Sequence, residues 1–417
     1  MMTNASIITI GDELLIGQVI DTNSAWMAQE LNKAGIWVKR HVAVGDSHYE
    51  IRKALDEESA ASEIILITGG LGPTEDDITK PLLCDYFQTR LVVNEAALQN
   101  VRHLLGTVLQ RPMIERNLKQ AEVPEACLVI QNKRGTAPGM LFERSGKIFV
   151  SMPGVPHEMK GMMTDHVIPF LRQQFRVPFI VHRTMLTAGV GESFLADHIH
   201  DFESALPANI RLAYLPGFAM VRLRLTGIGQ DARLIQQETD ARFSELKELT
   251  GEWMVTDEDI TLQEAVGNLL KKQTRTLSTA ESCTGGYVSH LLTSIPGSSA
   301  YFLGGLIPYQ NNIKEKVLQV SGKTLSEVGA VSEETVRGMV TGALHLFGSD
   351  FALATSGILG PDGGTETKPV GTVWIAVGNR DATETRKLHF RFDRQRNMEL
   401  AATNVLNLLR KFILSRP

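Results

Sequence analysis

At 417 residues the chain exceeds one typical hydrophobic core, and a prior of roughly 150 residues per domain predicts two to four domains. Apolar residues make up 43% and charged residues 21%, the balance of an ordinary soluble protein, and a formal charge of −5 with no long basic run argues against a nucleic-acid partner. Cys84, Cys127 and Cys283 are too few and too scattered for a disulfide framework or a paired-cysteine metal site, which predicts a reducing, cytoplasmic setting. No run of about eighteen apolar residues occurs, so no membrane span or membrane partner is expected. Residues 1–11 read as a first strand rather than a leader.

Strand-like and helix-like patterns alternate from the start: strand 5–10, helix 22–34, strand 37–44, helix 49–60, strand 64–68. This alternation predicts a βαβ sheet with its ligands at the carboxyl ends of the strands. Ile64-Ile65-Leu66-Ile67 is apolar at every position, as a central strand covered on both faces should be. Directly after it, Thr68-Gly69-Gly70-Leu71-Gly72-Pro73-Thr74 would let backbone N–H groups approach a phosphate. Asp76 and Asp77 then stand where a divalent cation bridging two phosphates needs hard oxygen ligands, and Asp12, Glu13, Asp46 and Glu158 lie near other strand ends. The sequence is neither a Walker A loop nor GxGxxG, and acids at helix starts also serve the helix dipole alone. Asp21 reads as an N-cap and His157 as a solvated helix-start residue.

The strings at 9–23, 68–77, 116–121 and 152–156 carry Gly11-Asp12-Glu13, Gly69-Gly70-Leu71-Gly72-Pro73, Arg116-Asn117-Leu118-Lys119 and Pro153-Gly154-Val155-Pro156. They closely resemble the amino-terminal domain of the competence/damage-inducible protein CinA family, which is similar to molybdopterin-binding (MogA/MoaB-like, MoCF) domains. The resemblance implies a metal-dependent ADP-ribose pyrophosphatase that yields AMP and ribose 5-phosphate. Its implied phosphate-binding residues are Thr68, Gly69, Gly70, Gly72 and Thr74. Its implied ligands for a divalent metal, Mg or a transition metal such as Co, are Asp76, Asp77, Asp46 and Glu158. This domain is assigned 1–170.

Residues 171–255 read as a small α+β unit with extended stretches at 209–214 and 220–226 and a long helix at 231–249. Turn signals at Leu249-Thr250-Gly251 and the polar 256–259 place a linker near residue 255. Gly189-Val190-Gly191-Glu192-Ser193 together with 221–226 resembles the KH-type middle domain of the same family. No GXXG loop with flanking lysines is present, so nucleic acid is not expected and a role in joining two protomers of a homodimer is.

From 256 to 417 the pattern is helix 262–272, strand 274–279, helix 287–293, strand 301–308, helix 333–347, strands 351–355, 370–377 and 384–392, and a closing helix to Leu414. This predicts a three-layer α/β/α sandwich and makes the whole an α/β multidomain protein. Ser282, in Ala280-Glu281-Ser282-Cys283-Thr284-Gly285-Gly286, sits at a strand-to-helix turn resembling a nucleophile elbow, yet GxSxG is absent. The same turn could instead hold a phosphate on its hydroxyls and glycine amides. Cys283 reads as packed against the sheet, His290 and His345 as packed helix residues, and Tyr309 and Lys314 would otherwise pass for core and surface side chains.

The strings at 280–286, 304–314, 329–332, 355–364 and 368–373 resemble the CinA carboxy-terminal domain, a nicotinamide mononucleotide amidohydrolase. The resemblance implies Ser282 as nucleophile, with Tyr309 and Lys314 relaying its proton and amides of 284–286 at the oxyanion. Glu281, Thr284, Gly285, Gly286, Asn311, Ser356, Gly357 and Arg394 are the implied substrate contacts, and no cofactor is implied. Two departures stand out: Met398 replaces an arginine of many members, leaving Arg396 as its substitute, and Leu359 replaces an alanine. The expectation is a bifunctional pyridine-nucleotide recycling enzyme with nicotinamide mononucleotide and ADP-ribose as small-molecule partners. The alternative is a non-catalytic nucleotide- or molybdopterin-binding scaffold linked to competence or DNA damage.

Overall fold

The computed structural model describes residues 3–74, 77–108, 110, 112 and 114–416. The chain divides into two compact units, one running to Val181 with Ile228–Gln236, the other comprising His182–Gly227 and the chain from Gln237.

In the first unit a six-stranded sheet runs in the order Trp37–Val44, Asn4–Ile10, Ile64–Thr68, Lys147–Met152, Gly139–Arg144, Leu128–Ile130. The first four strands are parallel, and Gly139–Arg144 is antiparallel to both of its neighbours. Successive residues of a strand face opposite layers. Ile7 and Leu66 accordingly pack with Met27 and Leu31 of helix Thr22–Lys33, while Ile8 and Ile67 pack with Ile51 and Leu55 of helix His48–Ala61. Burial on both sides explains why Ile64–Thr68 lacks any alternation. Asp21 caps the first long helix as its sequence predicts, accepting from the Ser24 amide. Helix Thr79–Phe87 and strands Glu122–Pro124 to Lys147–Met152 follow Asp77.

Two further sheets lie wholly or mostly in the second unit. One follows the order Ile210–Gly217, Met220–Gly229, Phe179–Ala188, Met254–Thr256, beside helix Ala232–Thr250. Strand Phe179–Ala188 lies where no strand was expected, because His182, Arg183, Thr184 and Thr187 put polar groups on both of its faces. The other sheet is Phe302–Leu306, Leu277–Glu281, Phe351–Gly357, Thr372–Gly378, Thr383–His389, its first three strands parallel and its last two antiparallel. Leu277, Leu353 and Ile375 pack on one side with helices Leu262–Gln273 and Arg394–Leu414, while Ala280, Ala354 and Ala376 meet helix Glu333–Phe347 on the other. This is the three-layer sandwich that the periodicity predicts.

The strand expected at 274–279 begins later, at Leu277. Thr274 is the left-handed C-cap of the preceding helix (φ 54°), and the amides of Thr274 and Arg275 close that helix on Lys271 and Leu270. Among the described residues no helix is long and apolar enough to cross a membrane.

Candidate active site

Three parallel strands deliver their following loops to one edge of the C-terminal sheet, and these loops line a pocket of about 280 Å³. Ser282 and Cys283 come from the end of Leu277–Glu281, Tyr309 and Lys314 from the chain after Phe302–Leu306, and Ile358 to Gly360 from the end of Phe351–Gly357. Ser356, Gly357 and Arg394, three of the expected substrate contacts, also line it, and Ala330, Val331, Asp362 and Gly363 complete it. The loop after Gly357 is tied at its base, with the Ile358 amide bonded to Thr372 O at 2.9 Å and the Gly371 amide to Ile358 O at 2.7 Å.

Lys314 is 1% exposed, a costly place for an ammonium that no carboxylate pairs with among the described residues. Its Nζ donates to Pro308 O at 2.7 Å, Tyr309 O at 3.1 Å and Ser282 Oγ at 3.2 Å. Burial holds its pKa below the usual lysine range, with only the Cys283 thiol opposing. Two of its neighbours are carbonyls that can only accept, whereas Ser282 Oγ can also donate. A neutral Lys314 therefore keeps both N–H groups on the carbonyls and turns its lone pair to the Ser282 hydroxyl, the relation of a base to its nucleophile. Burial pushes the Cys283 thiol up to about 12, so it stays protonated, as a packed cysteine should.

Glu281 has a different role from the substrate contact expected of it. It is completely buried and outside the pocket lining. Its Oε1 accepts from the amide and hydroxyl of Ser289 at 2.7 and 2.6 Å, and its Oε2 from Thr284 Oγ1, Gly286 N and Val288 N at 2.8, 3.2 and 2.9 Å. The carboxylate thus folds the turn and caps helix Tyr287–Thr293. Thr284 gives its proton to Glu281 and takes one from Thr355 Oγ1 at 2.7 Å, so it too is consumed by the turn. Gly286 is left-handed (φ 95°), and a Cβ there would meet Ile307 Cδ1 at 2.9 Å.

Two of the three expected oxyanion donors are engaged: Gly285 N bonds Ser282 O at 3.2 Å and Gly286 N bonds Glu281. The Cys283 amide, next to the nucleophile, makes none of the turn's hydrogen bonds. Sequence reasoning missed it, although the residue after an elbow serine is a recurrent oxyanion donor.

The Tyr309 phenol is 58% exposed and accepts from Arg394 Nη2 at 3.3 Å, while Arg394 Nη1 donates to Gly360 O at 2.8 Å. Tyr309 reaches Lys314 through its backbone carbonyl, not through the proton relay expected of its ring. Asn311 is exposed and outside the lining. His290 and His345 are exposed rather than packed, and neither lines the pocket. Met398 packs on the apolar core, and Arg396, the substitute expected for the missing arginine, stacks 4.2 Å over Phe392 instead of entering the pocket.

In the N-terminal unit the expected phosphate ligands divide. Thr68 Oγ1 donates to Pro153 O at 2.9 Å and Gly69 N to Met152 O at 3.1 Å, bonds that tie neighbouring strands. Thr68, Gly69 and Gly70 lie outside the cleft of about 630 Å³ that Gly72, Thr74 and Asp77 help to line. Asp77 accepts from Gly72 N at 2.7 Å and from Thr74 N and Oγ1 at 2.7 and 2.5 Å. Asp46 and Asp12 exchange amide-to-carboxylate bonds at 3.1 and 3.2 Å. Burial raises the Asp46 pKa, and the charges of Asp12, Glu13 and Asp77 raise it further against the Asp12 amide bond. Glu158 is held by Asn132 Nδ2 at 2.6 Å, with its pKa raised by burial. Among the described residues no three His, Cys, Asp or Glu side chains meet as a metal-holding group, and Asp76 lies outside the described residues. The described donors therefore do not by themselves fit the metal centre that the resemblance implies.

Fold and site define a class: an α/β chain with a molybdopterin-binding-type front domain, a small KH-type domain and a sandwich carrying a buried serine–lysine pair. Family models agree along its length. A probable molybdopterin binding domain matches residues 6–173, a damage-inducible protein CinA KH domain 182–255, and a CinA C-terminal domain 259–413. A CinA-like protein of Cytophaga hutchinsonii is 47% identical over 98% of this chain and 97% of its own. A putative competence-damage inducible protein of Caldicellulosiruptor bescii is 39% identical over 98% of this chain and 99% of its own. Competence damage-inducible protein A of Klebsiella pneumoniae, a crystal structure, is 36% identical, covering 37% of this chain and 97% of its own, with a TM-score of 0.37. The chain belongs to the CinA family.

Proposed function

We propose that the C-terminal domain hydrolyses the carboxamide of nicotinamide mononucleotide to nicotinate mononucleotide and ammonia. The observation that carries this reading is the contact between buried Lys314 Nζ and Ser282 Oγ at 3.2 Å, with the other two bonds of Nζ going to carbonyls. Neutral Lys314 takes the Ser282 proton as Oγ attacks the amide carbon, and the Cys283 amide meets the oxyanion. Lys314 returns that proton to the leaving nitrogen, which departs as ammonia and leaves an ester on Ser282. Water then attacks the ester, losing a proton to Lys314; Lys314 gives that proton to Ser282 Oγ as the ester C–O bond breaks, which restores the serine and the neutral amine, and the acid product leaves as its carboxylate with its remaining proton passing to solvent. Arg394, on the pocket rim, supplies a cation for the 5′-phosphate. Ammonia release from nicotinamide mononucleotide by the parent and by Ser282→Ala tests the reading; undiminished release in the variant removes the nucleophile.

A second reading concerns the N-terminal cleft, which combines the glycine loop with Lys80, Arg116 and Lys119. We propose that it hydrolyses ADP-ribose to AMP and ribose 5-phosphate. Incubating the protein with ADP-ribose, with and without magnesium or cobalt, separates turnover from binding by a scaffold. Asp76→Ala with Asp77→Ala is expected to abolish AMP formation, and retained turnover would rule out both carboxylates.

A further inference from the structure

The loop wall of the C-terminal pocket and the cation on its rim come from segments distant in the chain, and one buried side chain joins them. Asn397 is completely buried near the start of helix Arg394–Leu414 and lies outside the pocket lining. Its Nδ2 donates to Leu359 O at 3.0 Å and to Phe392 O at 2.8 Å, and its Oδ1 accepts from Phe392 N at 3.2 Å. Two carbonyls and one amide decide which end of the side chain is nitrogen. A flipped amide would set its oxygen against both carbonyls and its NH₂ group against the Phe392 N–H.

The helix alone does not require this residue. Asp393 caps it through the Arg396 amide at 2.9 Å, and the Asn397 amide continues it by bonding Asp393 O at 2.9 Å. Asparagine is a weak helix former, because its side chain competes for backbone groups. Here that competition is turned onto a different segment. Leu359 lines the pocket, and the next carbonyl, Gly360 O, accepts from Arg394 Nη1 at 2.8 Å. Arg394 in turn stands between Phe392 and Asn397 in the chain. Asn397 therefore grips the backbone on both sides of the Arg394–Gly360 bond, whereas Ser282 and Lys314 come from other segments and are held by their own contact at 3.2 Å.

We infer that Asn397 is a positioning residue for substrate affinity: it fixes the Leu359–Gly360 wall and, through Gly360 O, the direction of the Arg394 guanidinium. The inference rests on the reading of Arg394 as the 5′-phosphate contact. With the latch gone, the serine and lysine keep their places while the grip on the phosphate loosens. Asn397 thus governs binding and leaves the chemical step alone.

The test uses the full chain, with steady-state ammonia release from nicotinamide mononucleotide and calorimetric titration with nicotinate mononucleotide and its phosphate-free riboside. Asn397→Ala removes all three bonds. Asn397→Asp keeps the shape and the acceptor for Phe392 N but turns oxygen toward both carbonyls. Each is expected to raise KM at least about fivefold with kcat within about threefold and its pH dependence unchanged. A loosened wall costs both titrated ligands alike, and a lost phosphate grip costs the nucleotide alone, so the nucleotide should weaken at least about fivefold more than the riboside. In an Arg394→Ala background that extra loss should vanish, because both changes act on one contact. Asn397→Ala buries no new polar group and carries the test if Asn397→Asp does not fold. Parental affinity in the variants, a fall in kcat at parental KM, equal losses on nucleotide and riboside, or an extra loss that persists without Arg394 overturns the inference. Variant-sensitive nucleotide binding in a parent that releases no ammonia removes the deamidase reading alone. Ammonia release with variant-insensitive affinity removes the role of Asn397 alone, and a parent that neither binds nor turns over nucleotide removes both.

Discussion

Replacing Glu281 by glutamine separates a residue that builds the site from one that touches the substrate. The carboxylate accepts five hydrogen bonds, three of them from the backbone amides of Gly286, Val288 and Ser289. Glutamine keeps one acceptor oxygen. Hydroxyls of Thr284 or Ser289 can rotate to accept from the new NH₂ group, but an amide cannot. In the better orientation the oxygen serves Gly286 and Val288, and the Ser289 amide is orphaned, costing about 1–3 kcal/mol. The surviving bonds also lose charge assistance, a loss partly offset because no anion is buried any longer. A net cost of about 3 kcal/mol lowers the melting temperature of a unit this size by roughly 6–12 °C. Scanning calorimetry of the full chain reads that shift, and steady-state ammonia release should show KM for nicotinamide mononucleotide within a factor of about three of the parent. A melting change below about 2 °C with KM raised more than tenfold would refute the reasoning and restore Glu281 as a substrate contact.

Other outcomes follow from the same geometry. Lys314→Met removes the base and should lower kcat for ammonia release by about 10²–10⁴-fold while the chain stays folded, as circular dichroism would verify. Because burial depresses the Lys314 pKa and the proposed mechanism uses the neutral amine, the parent's kcat/KM should rise with pH and level off below the usual lysine range; a rate that falls across that limb contradicts the assignment. Ammonia release should persist in excess EDTA, since the proposed mechanism draws its nucleophile and base from Ser282 and Lys314, and its loss on chelation would show that a metal takes part. Gly69→Ala puts a Cβ 2.2 Å from Ile10 O at φ 116° and should destabilise the N-terminal unit by several kcal/mol, measurable as an early transition in a urea melt.

Period and punctuation made the sheets legible where each strand was either fully apolar or cleanly bounded, as at Ile64–Thr68 and Phe351–Gly357. Where polar residues sit on both faces of a strand, as in Phe179–Ala188, no period survived to be read. Ser282 and Lys314 stood out only through the family resemblance, since the residues alone left Ser282 open to a phosphate-binding role and Lys314 to a solvated face. That three parallel strands aim their loops at one edge is a property of the topology, and it brings Asp362 and Ala330 to the pocket without any local signal. Least legible were side-chain directions inside turns. Glu281 and Asp77 each look like ligand-binding acids, yet each turns inward onto the amides of its own loop, because a short turn leaves N–H groups that a nearby carboxylate satisfies at little entropic cost.

The loop after Gly357 is pinched shut at its stem by Ile358, Gly371 and Thr372, yet it contributes a large part of the pocket wall. Such a loop is a replaceable cassette: its interior can vary in length and composition while the stem and the serine–lysine pair, carried on other strands, remain in register. Exchange of residues 359–370 between relatives is therefore a route to a different ligand preference, by inheritance in evolution or by grafting at the bench.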